Sequence, residues 1–111
     1  MIRTTVWFEK ELKKLSKRHK SLAVDYRQLL ASLEEDPTQG TPLGRGAFKI
    51  RMAITSKGGG KRGGSRVITY FRNAFDVLYL IDIYDKSEKE NISNADLNYF
   101  IDEINKALEE E

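Results

Sequence analysis

Apolar positions along the chain change their period twice, and the changes divide it into elements. In "TTVWFEKELKKLSKRHKS", Phe8, Leu12 and Leu15 stand at i, i+4 and i+7, one face of a helix whose other face is rich in lysine. A short strand over Thr4 to Trp7 is expected before it. Tyr26, Leu29, Leu30 and Leu33 repeat the helical spacing, with Ser21 as the expected cap and Pro37 disfavouring helix at Asp36, so the two helices form a hairpin. "PTQGTPLGRG", residues 37–46, holds both prolines and three glycines and reads as a turn-rich connection.

From there the period is two. In "FKIRMAIT", Ile50, Met52 and Ile54 face one way and Lys49, Arg51 and Thr55 the other, as in a half-buried strand. "SRVITYFR" and "DVLYLIDIY", rich in β-branched and aromatic residues and separated by "NAF", predict two further antiparallel strands. The final segment returns to helical spacing at Leu97, Phe100, Ile101, Ile104 and Leu108, with Ser93 or Asn94 as cap. The expectation is one α+β domain over residues 1–111: a short N-terminal strand, a helical hairpin, a three-stranded antiparallel meander completing a four-stranded sheet, and a C-terminal helix. All helices are expected on one face. The other face would receive Lys49, Arg51, Arg66 and Tyr84.

Charge sharpens this picture. The net charge is only +2, yet no Asp or Glu occurs from Pro37 to Phe75, where Arg45, Lys49, Arg51, Lys57, Lys61, Arg62, Arg66 and Arg72 stand. A positive middle of this kind attracts polyanions. The chain has no cysteine, which excludes disulfides, thiolate metal sites and a cysteine nucleophile, and fits a reducing cytoplasm. Neither a leader nor a membrane span is expected, since no apolar run approaches the required length.

"SKGGGKRGGSR", residues 56–66, contains a formal G-x-G-x-x-G, but the dinucleotide fingerprint needs a helix to open there and a strand follows instead. A P-loop fails because the lysine position is filled by Gly64 or Ser65. Basic groups on a glycine scaffold suit a phosphate backbone, offered both N–H groups and side chains. Internal RNA cleavage requires removal of the 2′-hydroxyl proton, stabilisation of the phosphorane and protonation of the 5′-oxygen. The lone His19 is read as an exposed helix residue. Asp82, Asp85, Glu88 and Glu90 lack a metal-ligand spacing, so neither metal nor cofactor is expected. The chemistry falls to arginine, lysine and tyrosine: a bidentate grip on phosphate, a base made from a lysine crowded by other cations, and an acid for the leaving group. Such a site gains most from a partner that holds the RNA in line.

These residues resemble the RelE/ParE superfamily of toxin–antitoxin toxins, in particular its HigB-like, RelE-type branch. The similarity is carried by "FKIRMAITSKGGGKRGGSRVITYF" and "LYLIDIYDKSEKENIS", within residues 48–92. The resemblance implies a metal-independent endoribonuclease that cuts mRNA in the ribosomal A site and is silenced by a cognate antitoxin. By position it implies substrate contact and proton transfer for Lys49 and Arg51, transition-state stabilisation for Arg66, and the leaving-group end for Lys86 with Tyr84 beside it. Lys57, Lys61 and Arg62, with Arg45 and Arg72, are expected to bind mRNA or rRNA. Some members have a tyrosine or histidine where this chain reads "SEKENIS", which leaves the general base open. A ParE-like gyrase inhibitor and a non-catalytic RNA-binding module are the alternatives.

Overall fold

The computed structural model describes residues 1–109. In chain order it contains β1 (Ile2–Thr4), α1 (Val6–Arg18), α2 (Leu22–Glu35), β2 (Thr41–Gly44), β3 (Ala47–Met52), β4 (Ser65–Arg72), β5 (Val77–Asp85) and α3 (Asn94–Glu109). The strands form one sheet in the order β1-β5-β4-β3-β2. β1 runs parallel to β5 and every other neighbouring pair is antiparallel. The α+β class and the order of helices and meander are as expected, but the sheet has five strands rather than four.

The additional strand lies inside the supposed connection. Thr41 pairs with Lys49, Pro42 with Phe48 and Gly44 with Ala47. Proline's missing N–H costs nothing on an edge strand, so Pro42 is compatible with pairing. The two-residue link Arg45–Gly46 has positive φ at both positions (55° and 84°), the sign pattern of a type I′ hairpin. Its usual Asn-Gly or Asp-Gly signature is absent, and the composition therefore read as a turn.

The first strand is also shorter than expected. Thr5 caps α1: its Oγ1 accepts the Phe8 N–H at 3.2 Å and donates to the Leu80 carbonyl at 3.0 Å. Helix therefore begins at Val6, and Trp7 is helical. Ser21 stands at the N-cap of α2 as expected, but its side chain makes no capping bond. Its hydroxyl donates to Asp25 at 2.8 Å and accepts the Ser56 N–H at 2.8 Å, tying the helix to the turn after β3. Asp25, 6% exposed, also accepts the Thr55 N–H at 2.9 Å. Burial alone would raise its pKa, but the hydrogen bonds from Thr55 and Ser21 outweigh burial and leave it lowered. At the start of α3, Ser93 Oγ takes the Asp96 N–H at 3.0 Å.

The sheet is covered on both faces, which corrects the one-sided expectation. Phe8, Leu15, Leu22, Leu29 and Leu33 of the hairpin pack with Ile50, Met52, Val67, Leu78, Leu80 and Ile83. Leu97, Ile101 and Ile104 of α3 pack with Ala47, Ile68, Tyr70, Ile81 and Tyr84 on the opposite side. A signal for this was present, since β4 and β5 are apolar at both parities, the pattern of strands buried on two faces. Between Ile68 and Thr69 the register shifts: Ile68 faces Asp82 and Thr69 faces Leu80, leaving Ile81 without a partner. This bulge changes the parity of β5, so that even positions face the hairpin before it and odd positions after it.

Gly64, just before β4, has no room for a side chain. A Cβ there would stand 2.4 Å from the Met52 carbonyl oxygen, which is already fixed by the Ser65 hydroxyl at 3.0 Å. Gly64→Ala is expected to destabilise the fold by about 2 kcal/mol. In urea titrations this appears as a lower midpoint with an unchanged slope.

Candidate active cleft

Three strands bring the basic residues together. Arg51 pairs across the sheet with Arg66, and Arg66 with Tyr84. By alternation with Ala47, Ile68 and Tyr70, the residues Lys49, Arg51 and Arg66 stand on the α3 face. α3 packs on that face against Ala47, Ile68, Tyr70, Ile81 and Tyr84. Beyond it lies a cleft of about 210 Å³, lined by Lys49, Arg51, Arg66 and Lys86 together with Thr41, Glu90 and Asn91.

Arg66 is held firmly, and is only 3% exposed. Its Nη1 donates to the carbonyls of Lys61 at 2.9 Å and Ser65 at 3.0 Å, and its Nη2 to that of Arg62 at 3.2 Å. The guanidinium thus fastens the glycine-rich segment against the strand. Burial, and then the charge of Arg51, lower its pKa while Tyr84 acts the other way. It stays a cation, because arginine does not lose its proton in proteins. Lys49 reaches Asn91, its Nζ donating to Oδ1 at 3.0 Å.

Tyr84 borders a different space. It is 7% exposed and lines a larger cleft of about 750 Å³ with Trp7, Lys10, Asp82 and Phe100. Its hydroxyl is buried without a hydrogen bond among the described residues. Burial first, and the nearby Asp82 second, push the phenol up, so it stays a neutral O–H. The Lys89 ammonium sits 5.0 Å from its ring centre.

The segment after β3 is anchored by Asp85, the last residue of β5 and 4% exposed. Its carboxylate takes Lys57 Nζ at 2.8 Å, the Ser87 N–H at 2.9 Å and the Ser87 hydroxyl at 2.7 Å. His19 Nε2 stands 3.2 Å from its other oxygen. His19 is therefore not the exposed helix residue expected from the run "KKLSKRHKS". It terminates α1, and its side chain, 17% exposed, turns inward to a carboxylate that local spacing cannot reveal. Burial alone would raise Asp85, but the hydrogen bonds from Lys57 and Ser87 hold it below the usual carboxylate range.

The remaining basic residues divide by position. Lys61 and Arg62 are exposed on the loop, and Arg62 shares with Lys86, Ser87, Gly59 and Gly63 a second, open depression of about 470 Å³. Arg45 lies against α3, bonded to Asn98 at 2.9 Å and Asp102 at 2.7 Å. Arg72 ends β4, roughly 20 Å along the strand from Arg66. Its guanidinium lies 4.7 Å from the Phe75 ring centre. Sequence reasoning missed Thr41, Glu90 and Asn91 as cleft residues, because nothing in their own segments marks them. No group of three or more His, Asp or Glu residues suited to a metal occurs among the described residues. Among those residues no helix is long and apolar enough to cross a membrane.

Asp85→Asn is expected to lower stability by about 3 kcal/mol at pH 7, as for breaking a buried ion pair. A carboxylate whose folded pKa is depressed contributes fully above its unfolded value, near 3.9, and loses the contribution as pH falls toward the folded value. Chemical denaturation should therefore show a constant gap between parent and variant from pH 5 to 8, narrowing only below about pH 4.

Residues 2–110 match the family described as "RelE toxin of RelE / RelB toxin-antitoxin system". The match spans all five strands and three helices, including the loop that Arg66 fastens and the cleft beside it. The chain belongs to the RelE toxin family of toxin–antitoxin systems.

Proposed function

We propose that this toxin is a metal-independent endoribonuclease that cuts mRNA in the ribosomal A site. The observation that carries the reading is the convergence of Lys49, Arg51, Arg66 and Lys86 on one small cleft. Four cations there match a phosphate that gains negative charge as the 2′-oxygen attacks it. Arg51 holds the scissile phosphate, Arg66, whose Nη groups fasten the loop, adds its charge beside it, and Lys49 stabilises the phosphorane. Lys86 delivers a proton to the departing 5′-oxygen, whereas Tyr84, whose buried hydroxyl borders the larger cleft, supports the neighbouring strand. Lys61 and Arg62, exposed on the loop, grip neighbouring phosphates of mRNA or rRNA. Lys57 contributes indirectly, since its bond to Asp85 sets the base of that loop.

The ribosome supplies in-line geometry that so small a cleft does not impose alone. A cognate antitoxin, encoded beside the toxin, blocks this cleft or its approach, and the protein acts in the cytoplasm. Within the family, the run "GGGKRGGSR" and the "IYDK" ending of β5 favour the HigB-like branch. Gyrase inhibition, the ParE-like alternative, requires no cationic cleft. A non-catalytic RNA-binding module would show binding that weakens with salt, at a log–log slope of about −0.7 per phosphate, and no cleavage.

Arg51→Ala, at an exposed position, should lower mRNA cleavage on programmed ribosomes by about 10²-fold with the melting temperature unchanged. Arg66→Lys should fall at least as far, because a single ammonium does not reproduce the planar fork that holds the loop carbonyls of Lys61 and Arg62. Primer extension on the mRNA measures both. Parent protein that arrests growth through loss of supercoiling, with mRNA intact, would replace this reading by gyrase inhibition.

A further inference from the structure

The identity of the proton acceptor is open in the sequence, and the cleft narrows it. Seven residues line it: Thr41, Lys49, Arg51, Arg66, Lys86, Glu90 and Asn91. The two guanidinium groups have donors and no acceptor, and Lys49 and Lys86 must each lose a proton before either can accept one. Lys49 already acts as a donor, to Asn91 Oδ1. The Thr41 hydroxyl and the Asn91 amide do not take up a proton at neutral pH, and the amide oxygen of Asn91 is occupied by Lys49. His19 faces Asp85, and the buried Tyr84 phenol is held in its neutral form. One acceptor-only group remains in the cleft, the carboxylate of Glu90.

Its position has independent support. Glu90 adjoins Asn91, whose side chain is bonded to Lys49 of β3 across 42 residues of sequence, so the segment between β5 and α3 is pinned to the cleft wall at that point. The carboxylates nearest to it in sequence are already committed: Asp85 binds Lys57 and Ser87, and Glu88 pairs with Arg18. Glu90 takes part in none of the ion pairs among the described residues.

We propose that Glu90 is the general base of the cleavage reaction, an assignment that rests on the endoribonuclease reading above. Its carboxylate removes the proton of the 2′-hydroxyl of the nucleotide preceding the scissile bond. The 2′-oxygen forms a bond to phosphorus, the bond from phosphorus to the 5′-oxygen breaks, and that oxygen takes a proton from Lys86. The products are a 2′,3′-cyclic phosphate and a 5′-hydroxyl. Solvent then carries the proton on Glu90 back to Lys86, restoring both groups. Lys49 and Arg51 of β3, Arg66 of β4 and Lys86 after β5 line the same cleft as Glu90 and bind the phosphate beside it.

The test is single-turnover cleavage of mRNA on programmed ribosomes, from pH 5 to 9, with ribosome affinity measured in parallel. Glu90→Gln is expected to slow cleavage by about 10²- to 10³-fold, to bind ribosomes within threefold of the parent, and to lose the acid limb of the parent's rate profile. Glu90→Asp, which keeps a carboxylate on a shorter arm, should retain more activity than Glu90→Gln. Because Glu90 is exposed, neither change disturbs the fold. Cleavage by Glu90→Gln within threefold of the parent across the pH range overturns the assignment and leaves the endoribonuclease reading standing. So does a loss of ribosome binding as large as the loss of cleavage. Parent protein that binds ribosomes but leaves mRNA uncut overturns the endoribonuclease reading itself.

Discussion

The unpaired Ile81 in the middle of β5 is the constraint on which the two cores and the far end of the sheet depend. Strand side chains alternate strictly between faces, so without an extra residue Tyr84 would follow Leu78 and Leu80 toward the helical hairpin. The bulge reverses the alternation. Ile83 takes the hairpin side, and Tyr84 comes to the α3 face beside Arg66. Ile81, rather than a polar residue, lies against α3, so the interruption of the ladder is offset by apolar burial. One inserted residue therefore lets the same strand complete two cores and turn Tyr84 to the α3 face at its end.

Electrostatic fastening then decides which cations are free. Lys57 and Arg66 belong to the same glycine-rich run, but both are used to fix it: one through the Asp85 carboxylate, the other through backbone carbonyls. Hydrogen bonds to charged groups contribute about 1.5–3 kcal/mol each, enough to restrain a loop that would otherwise gain entropy from its glycines. Gly64, pressed against the Met52 carbonyl, brings the loop back into β4 at the depth Arg66 needs. Lys61 and Arg62 are left at the surface. Arg45 and Arg72, equally basic in composition, are drawn away by α3 and by Phe75.

The local signals account well for the apolar framework. Phe8 and Leu15, Leu29 and Leu33, Ile50 and Met52, and Leu97, Ile101 and Ile104 are buried where their spacing places them. The expectations that failed are those set by side chains reaching elsewhere. Thr5 starts α1 through a bond to β5, and Ser21, though it stands at the N-cap of α2, turns its hydroxyl to Asp25 and Ser56. Pro42 escaped notice because an edge strand tolerates what an inner strand does not.

What the sequence by itself determined is the class of elements, their order, the lack of acidic residues from Pro37 to Phe75, and the family resemblance, because periodicity and composition are local properties of the chain. Which of the basic residues share a cleft was decided only by the tertiary structure. Cross-strand register set Arg51 beside Arg66, and the bulge set Tyr84 beside them. A contact as distant as Lys49 with Asn91 fixed the cleft's wall, and His19 with Asp85 joined α1 to the end of β5. Such pairings join residues dozens of positions apart, and their energies arise only when the sheet has closed, so no window of sequence contains them.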